Sequence, residues 1–316
     1  MSVTPLAHKI MLKHLRTPNL VMIAFLMISI RYFLMAPIIQ SNELHLLLSH
    51  WSFAGLVLSC VLIAAGGYLI NDYYDQVADA INKPAKKLQS PEKALYWYGV
   101  LSVSGIALGA VVGWQAGLLN LAIIHIIITF LLWKYAESWK GVPLLGHLVV
   151  ASFLVVLVFL PLLYEYIAVS VLYREAAASA RYLLYATLAY ACFAYLSTLV
   201  RELAKAIQDT EGDLAAGYNT LPIKYGIAFT RRLAVVLQLI TILLLILFLV
   251  MQIQSQSWYT AAYLFMAVLL PGALALVSLL NSKQTSDYAS VSGRMKWFML
   301  GGIGSMAFFY FELMYL

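Results

Sequence analysis

Carboxylates are scarce in this 316-residue chain, 14 Asp and Glu in all, and most of the informative ones gather in two places. The first is Asn71-Asp72-Tyr73-Tyr74-Asp75-Gln76-Val77-Ala78-Asp79; the second is Asp209-Thr210-Glu211-Gly212-Asp213. On a helix turning about 100° per residue, Asp72, Asp75 and Asp79 share one face to within roughly 60°, and Asp209 and Asp213 lie one turn apart. Three carboxylates on one face repel each other unless a cation joins them. No Cys or His partner accompanies them, so zinc fits poorly, whereas hard oxygen ligands with space for waters and phosphate oxygens suit Mg²⁺. Two such clusters point to two Mg²⁺ ions gripping one diphosphate. A lone Asp at a membrane boundary is usually a solvated helix end, but solvation needs neither this register nor a second cluster after another apolar segment.

The elements that carry these acids are apolar. Hydrophobic residues make up 63% of the chain and charged ones 11%, with a mean hydropathy of +0.86, a balance no ordinary soluble domain shows. The fold class this implies is all-α, a polytopic membrane bundle of about nine transmembrane helices forming a single domain over 1–316. The spans read as 20 to 39, 48 to 70, 95 to 114, 117 to 133, 142 to 164, 180 to 200, 233 to 253, 259 to 281 and 297 to 315, each near the ~20 residues a bilayer requires. Lys9, Lys13 and Arg16 precede a full-length first span without a small-residue cleavage site, so that span is expected to stay.

Charge orients the bundle. Lys83, Lys86, Lys87 and Lys93 follow the second span, Lys134 and Lys140 the fourth, Arg201, Lys205, Lys224, Arg231 and Arg232 the sixth, and Lys283, Arg294 and Lys296 the eighth. These all fall on the side of the N-terminus, against Arg174 and Arg181 opposite, so the positive-inside rule places both acidic clusters at the cytoplasmic face. The net charge of +6 follows from that face and suits anionic lipid or a diphosphate, with no call for nucleic acid. Arg201 and Lys205, one turn apart beside the second cluster, are candidate phosphate ligands; Lys83 and Lys140 are read either as phosphate contacts or as topology residues. Cys60 and Cys192 lie within spans and suggest packing. His147 is read as a packing histidine in preference to a base, Arg31 as paired inside the bundle or reaching outward, and Tyr73 and Tyr74 as part of an interfacial aromatic belt.

The motifs also resemble a known family. Asn71 to Asp79 reads NDxxDxxxD and Asp209 to Asp213 reads DxxxD, which together with the span count resembles the UbiA-type intramembrane prenyltransferase superfamily across nearly the whole chain. Arg201-Glu202-Leu203-Ala204-Lys205, followed by Asp209 to Asp213 and Gly217-Tyr218-Asn219-Thr220-Leu221-Pro222, is similar to the branch containing digeranylgeranylglyceryl phosphate synthases. Chlorophyll synthase and homogentisate prenyltransferases share part of this pattern. Ala206, Gln208 and Ala85-Lys86-Lys87 depart from that branch. Arg16 and Asn19 resemble the entry to the family's first helix, and Tyr135 and Lys140 precede Pro143-Leu144-Leu145-Gly146-His147, a segment usually ending in Asn.

What the resemblance implies is Mg²⁺-dependent transfer of a prenyl chain, geranylgeranyl by preference, from a prenyl diphosphate donor to a lipophilic acceptor such as a glyceryl phosphate ether-lipid precursor. Asp72, Asp75, Asp79, Asp209 and Asp213 would be the catalytic metal ligands. Asn71, Arg16, Asn19, Lys83, Lys140, Arg201 and Lys205 would bind substrate. The expected setting is the lipid bilayer of a cell inner membrane with the site facing the cytoplasm. An aromatic-acceptor prenyltransferase and a non-catalytic cation-binding transporter are the alternatives.

Overall fold

The computed structural model describes residues 14–84, 88 and 90–315. Lys9, Lys13, Lys86 and Lys87, counted above on the cationic face, lie outside them, as does Ala85. Among the described residues the chain is helical, with no strand. In order the helices are α1 Thr17–Gln40 and α2 His50–Tyr74, α3 Gln76–Asn82, α4 Pro91–Gln115, α5 Leu119–Glu137 and α6 Leu145–Tyr164, α7 Tyr166–Glu175, α8 Ala177–Gln208, α9 Thr210–Ala215, α10 Leu221–Tyr225, α11 Ile227–Gln254 and α12 Trp258–Asn281, and α13 Tyr288–Tyr315.

Eight of these, α1, α2, α4, α5, α6, α8, α11 and α12, are long and apolar enough to cross a membrane. The ninth expected span, 297 to 315, lies within the 28-residue helix α13. Val103, Leu243 and Met266 are among many exposed large apolar side chains; in water they would be liabilities, whereas hydrocarbon is their natural solvent. The protein is an integral membrane protein. Hydropathy located the apolar middles and undershot the ends: α8 continues eight residues past the predicted boundary at 200, to Gln208, because backbone hydrogen bonding continues the helix through polar residues. That extension carries Arg201 and Lys205.

Two helices contain a π-helical turn, Ile30–Met35 in α1 and Leu264–Leu269 in α12. Each is followed closely by a proline, Pro37 and Pro271. A helical proline donates no N–H and its ring crowds the carbonyl four residues earlier, here Phe33 and Ala267; the wider turn accommodates both problems. Gly301 of α13 lies directly against the Ala267 carbonyl, where a Cβ would collide.

The chain divides into two compact units: the described residues through Phe25 with Leu47–Val142 and Glu211–Tyr218, and Leu26–Leu46 with Pro143–Thr210 and Asn219–Leu316. In the first, α2 packs on α4 through small residues: Ser59 Oγ donates to the Gly105 carbonyl at 2.6 Å, and a Cβ on Gly66 would meet Ser102 Oγ at 3.0 Å. Helices approach closely in lipid where side chains are small and a hydroxyl can bridge them. In the second, α8 is central. Val200, Leu203, Ala204 and Ile207 pack with Phe298 of α13 and Val268 of α12 in one fully buried cluster.

The second unit also answers the question of Arg31. Its guanidinium donates to Glu165 Oε1 at 2.6 Å, with the two side chains 1% and 0% exposed. Glu165 sits at the break between α6 and α7, where the helix ends one turn beyond Pro161. A charge with no route to water is tolerated only because its partner is equally buried. Removing one partner takes the opposite charge from the other: Arg31→Leu or Glu165→Leu is expected to destabilise by about 3–5 kcal/mol, read as a lower thermal unfolding midpoint in detergent. The double variant Arg31→Met/Glu165→Leu should recover most of the loss, and equal destabilisation in single and double variants would refute the pair.

Candidate active site

Both acidic motifs form where a long helix yields to a short one. Asp75 lies between α2 and α3 with φ −89° and ψ 10°, and Asp209 between α8 and α9 with φ −90° and ψ 6°. In both cases the acid's own N–H still closes a helical turn, Asp75 to the Asn71 carbonyl and Asp209 to the Lys205 carbonyl, each at 2.9 Å. Each break is thus a single-residue bend that keeps the ladder almost intact. The uninterrupted helix expected for Asp72, Asp75 and Asp79 is replaced by two helices meeting at the middle acid.

In the first unit every acid of the first motif has a basic partner. Arg16 Nη2 donates to Asp72 Oδ1 at 2.8 Å and His14 Nδ1 lies 2.8 Å from Asp72 Oδ2. Arg16 has a φ of 50°, the left-handed region that side chains other than glycine rarely adopt, and it packs 4.9 Å over the Tyr68 ring. Strain there is sustained by the contacts it aims. Lys140 Nζ donates to Asp75 Oδ1 at 2.7 Å, Asn71 Nδ2 to Asp75 Oδ2 at 2.6 Å, and the Tyr218 hydroxyl to Asp75 Oδ1 at 3.3 Å. Lys83 reaches Asp79 Oδ1 at 3.4 Å. Asn19 is half-buried, its N–H donating to the Arg16 carbonyl at 2.8 Å.

Burial acts on these groups before charge does. It lowers the Lys140 pKa below the ordinary lysine value, with Asp75 opposing, and it raises that of Asp79, with Lys83 opposing. Tyr218 is held above the usual phenol value by burial and by Asp75. For Arg16, burial pulls downward, and Asp72 together with Tyr68 and Asp75 more than offsets it, so the guanidinium stays charged. Asp213, also of the first unit, is close enough to act electrostatically on Lys140 and Tyr218.

The two motifs are also tied mechanically within this unit. Asn82, at the end of α3, accepts the Gly212 N–H at its Oδ1, 3.0 Å away, and a Cβ on Gly212 would strike both the Ala78 carbonyl and the Asn82 side chain. Asp209, Arg201 and Lys205 belong to the second unit. There Arg201 Nη1 donates to Glu202 Oε1 at 2.6 Å.

Among the described residues, no three His, Cys, Asp or Glu side chains gather closely enough to hold a metal ion by themselves. The donor chemistry nevertheless fits a hard divalent cation. Asp72, Asp75 and Asp79 present carboxylate oxygens within two turns, and their present partners are cations and amide or hydroxyl donors, groups that serve equally well on phosphate oxygens. Sequence reasoning missed His14, Tyr68, Asn82 and Tyr218. His14 was hidden by standing in a basic stretch outside any motif, and Tyr74, assigned to the aromatic belt, has Lys140 5.9 Å from its ring centre.

With this geometry in hand, comparison with known proteins is decisive on kinship. The model of the UbiA prenyltransferase family matches residues 20–300. The chain belongs to this family. Digeranylgeranylglyceryl phosphate synthase of Methanothrix thermoacetophila is 30% identical over 261 residues, 80% of this chain and 84% of that protein. The same-named protein of Methanopyrus kandleri is 35% identical over 190 residues, 58% of this chain; this match, like those to other similar relatives, spans about 62% of the relative's length. Among solved structures, a digeranylgeranylglyceryl phosphate synthase superposes with TM-score 0.59 at 20% identity, covering 95% of this chain and 98% of that one. A UbiA homologue from Archaeoglobus fulgidus bound to DMAPP and Mg²⁺ gives 0.58 at 16% identity, covering 94% and 99%. These likenesses establish the UbiA fold.

The clamp between the motifs makes a physical prediction. Gly212→Ala overfills a site whose neighbours are backbone and a bonded amide, and is expected to destabilise by about 1–3 kcal/mol. Gly99→Ala, where the added methyl meets nothing within 4 Å, should be neutral. Equal thermal midpoints for the two variants would refute the clamp.

Proposed function

We propose that the protein transfers a prenyl chain, geranylgeranyl by preference, from its diphosphate to the hydroxyl of a glyceryl phosphate lipid precursor. The observation that carries this reading is the alternation of acid and base at the first motif: Asp72 with Arg16, Asp75 with Lys140, Asp79 with Lys83. Such a set binds a diphosphate through its cations and a divalent metal through its carboxylates. The names of the relatives support the acceptor, and the Archaeoglobus fulgidus homologue supports both donor and metal.

Asp72, Asp75, Asp79, Asp209 and Asp213 are the residues we assign to Mg²⁺, which when bound supplies Lewis-acid stabilisation to the departing diphosphate. Arg16, Lys83, Lys140, Arg201 and Lys205 bind phosphate oxygens and neutralise the charge that grows as the allylic C–O bond breaks. Asn71 orients Asp75 through its 2.6 Å hydrogen bond, and Asn19 fixes the backbone carbonyl of Arg16. The apolar helices hold the chain and exclude water, which would otherwise capture the allylic carbon as the free alcohol. We place this single-domain enzyme in a cell inner membrane with the site at the cytoplasmic side, as the distribution of Lys and Arg suggests.

The test is incubation of purified protein with Mg²⁺, labelled geranylgeranyl diphosphate and a panel of acceptors, with mass analysis of products. Chelation should abolish turnover and added Mg²⁺ restore it; full activity in excess chelator would remove the metal from the reading. Asp72→Ala, Asp75→Ala and Asp213→Ala should each lower turnover about 100-fold or more, from the several kcal/mol such stabilisation is worth, while the proteins still fold. Ether product is expected with geranylgeranylglyceryl phosphate and little or none with 4-hydroxybenzoate. Preference for the aromatic acid would replace the acceptor and leave prenyl transfer standing.

A further inference from the structure

The second unit holds a polar stripe that the diphosphate site does not use up. On α8, Thr198, Arg201, Glu202 and Lys205 follow the i, i+3, i+4, i+7 spacing of one helix face. Thr198 is 2% exposed and its hydroxyl has no hydrogen-bond partner among the described residues. This is unlike Thr187 and Ser197 of the same helix, whose hydroxyls bond the carbonyls four residues back at 2.8 and 2.6 Å. Arg201 Nε is likewise buried and unbonded while the other end of its guanidinium holds Glu202.

Close enough to feel the charges of Glu202 and Lys205 is His147, in the first turn of α6. It is 8% exposed, with Nδ1 buried and the ring in hydrogen-bonding reach of the Leu144 backbone. The turn is aimed by Leu144, which enters α6 with a φ of 66°, a left-handed conformation that a branched aliphatic residue rarely takes. Two buried polar groups left open along one stripe, with a carboxylate and two cations on it and an imidazole beside it, describe a receptor for a ligand that offers both a hydroxyl and an anionic group.

We propose that His147 is a catalytic residue, receiving the proton of the acceptor's hydroxyl, with Glu202 stabilising the imidazolium that forms. The inference rests on the prenyl-transfer reading and deepens it by assigning the alcohol's binding place. In the step, the allylic C–O bond breaks and its electron pair leaves with the diphosphate. The acceptor oxygen forms the new C–O bond, and its proton passes to the imidazole, which later returns it to water. Arg201, through its open Nε, serves the acceptor's anionic group in addition to the donor phosphate, and Thr198 donates to the acceptor oxygen. Loss of the base leaves donor ionisation possible while slowing ether formation, so more donor ends as prenyl alcohol.

The test compares wild type with His147→Gln, which keeps a polar group of similar reach without a basic nitrogen, and His147→Ala. Turnover with geranylgeranylglyceryl phosphate, donor affinity by calorimetry and the ratio of ether to geranylgeraniol are measured. The expected result in both variants is about a 100-fold or greater loss of ether turnover, donor affinity within about twofold of wild type, and a product ratio shifted toward geranylgeraniol. Ether turnover near wild type in His147→Gln, or donor binding lost in parallel with turnover, overturns the assignment and leaves the prenyltransferase reading standing. Absence of ether product from wild type with every alcohol acceptor overturns that reading, and this one with it.

Discussion

Placing carboxylates at the end of an apolar helix removes them from water, and only opposite charge or hydrogen bonding restores what desolvation takes away. Asp72 is 7% exposed, and its two oxygens meet Arg16 and His14; Asp75 draws on Lys140, Asn71 and Tyr218. Several other features serve that requirement. Arg16 accepts a left-handed backbone to reach its acid, and Tyr218 extends from the end of the second motif to reach Asp75. Asn82 fastens the Gly212 backbone so that the segment carrying Asp213 stays beside the first motif. The same rule applied deep in the second unit gives the Arg31–Glu165 pair, where both partners are buried and the interaction is architectural.

Backbone geometry sets both motifs apart from an uninterrupted helix. A straight helix would align Asp72, Asp75 and Asp79 in a row, whereas the interruption at the middle acid leaves Asp72 in the long helix and Asp79 in the short one. The matching interruption at Asp209, with nearly the same dihedral angles, shows that both motifs are built in the same local way. The π-helical turns ahead of Pro37 and Pro271 are the complementary case: there the sequence forces a defect inside a membrane helix, and a wider turn absorbs it without leaving the ladder.

Much of this was legible in the sequence, for identifiable reasons. Helix class and approximate count followed from runs of apolar residues of bilayer length, and the two acidic motifs stood out because acids are rare here and regularly spaced. What stayed hidden depended on distance in the chain. The partners of Asp72 lie 56 and 58 residues away and that of Arg31 lies 134 residues away, and no local pattern marks them. Hydropathy also stopped α8 at the last apolar residue, before the polar turns where Arg201 and Lys205 project. Tyr218 and Asn82 look like ordinary loop and helix-end residues until folding places them against the motifs.

The central claim is that the carboxylates are balanced by the protein's own cations and exchange them for a metal when a diphosphate arrives to occupy those cations. Titration of the purified protein with Mn²⁺, followed by electron paramagnetic resonance in the presence and absence of a non-hydrolysable prenyl diphosphate analogue, tests this directly. The account predicts weak Mn²⁺ binding alone and at least about tenfold tighter binding with the analogue, with the gain abolished in Asp75→Ala. Mn²⁺ binding of equal strength with and without the analogue, or a gain that survives Asp75→Ala, would contradict it.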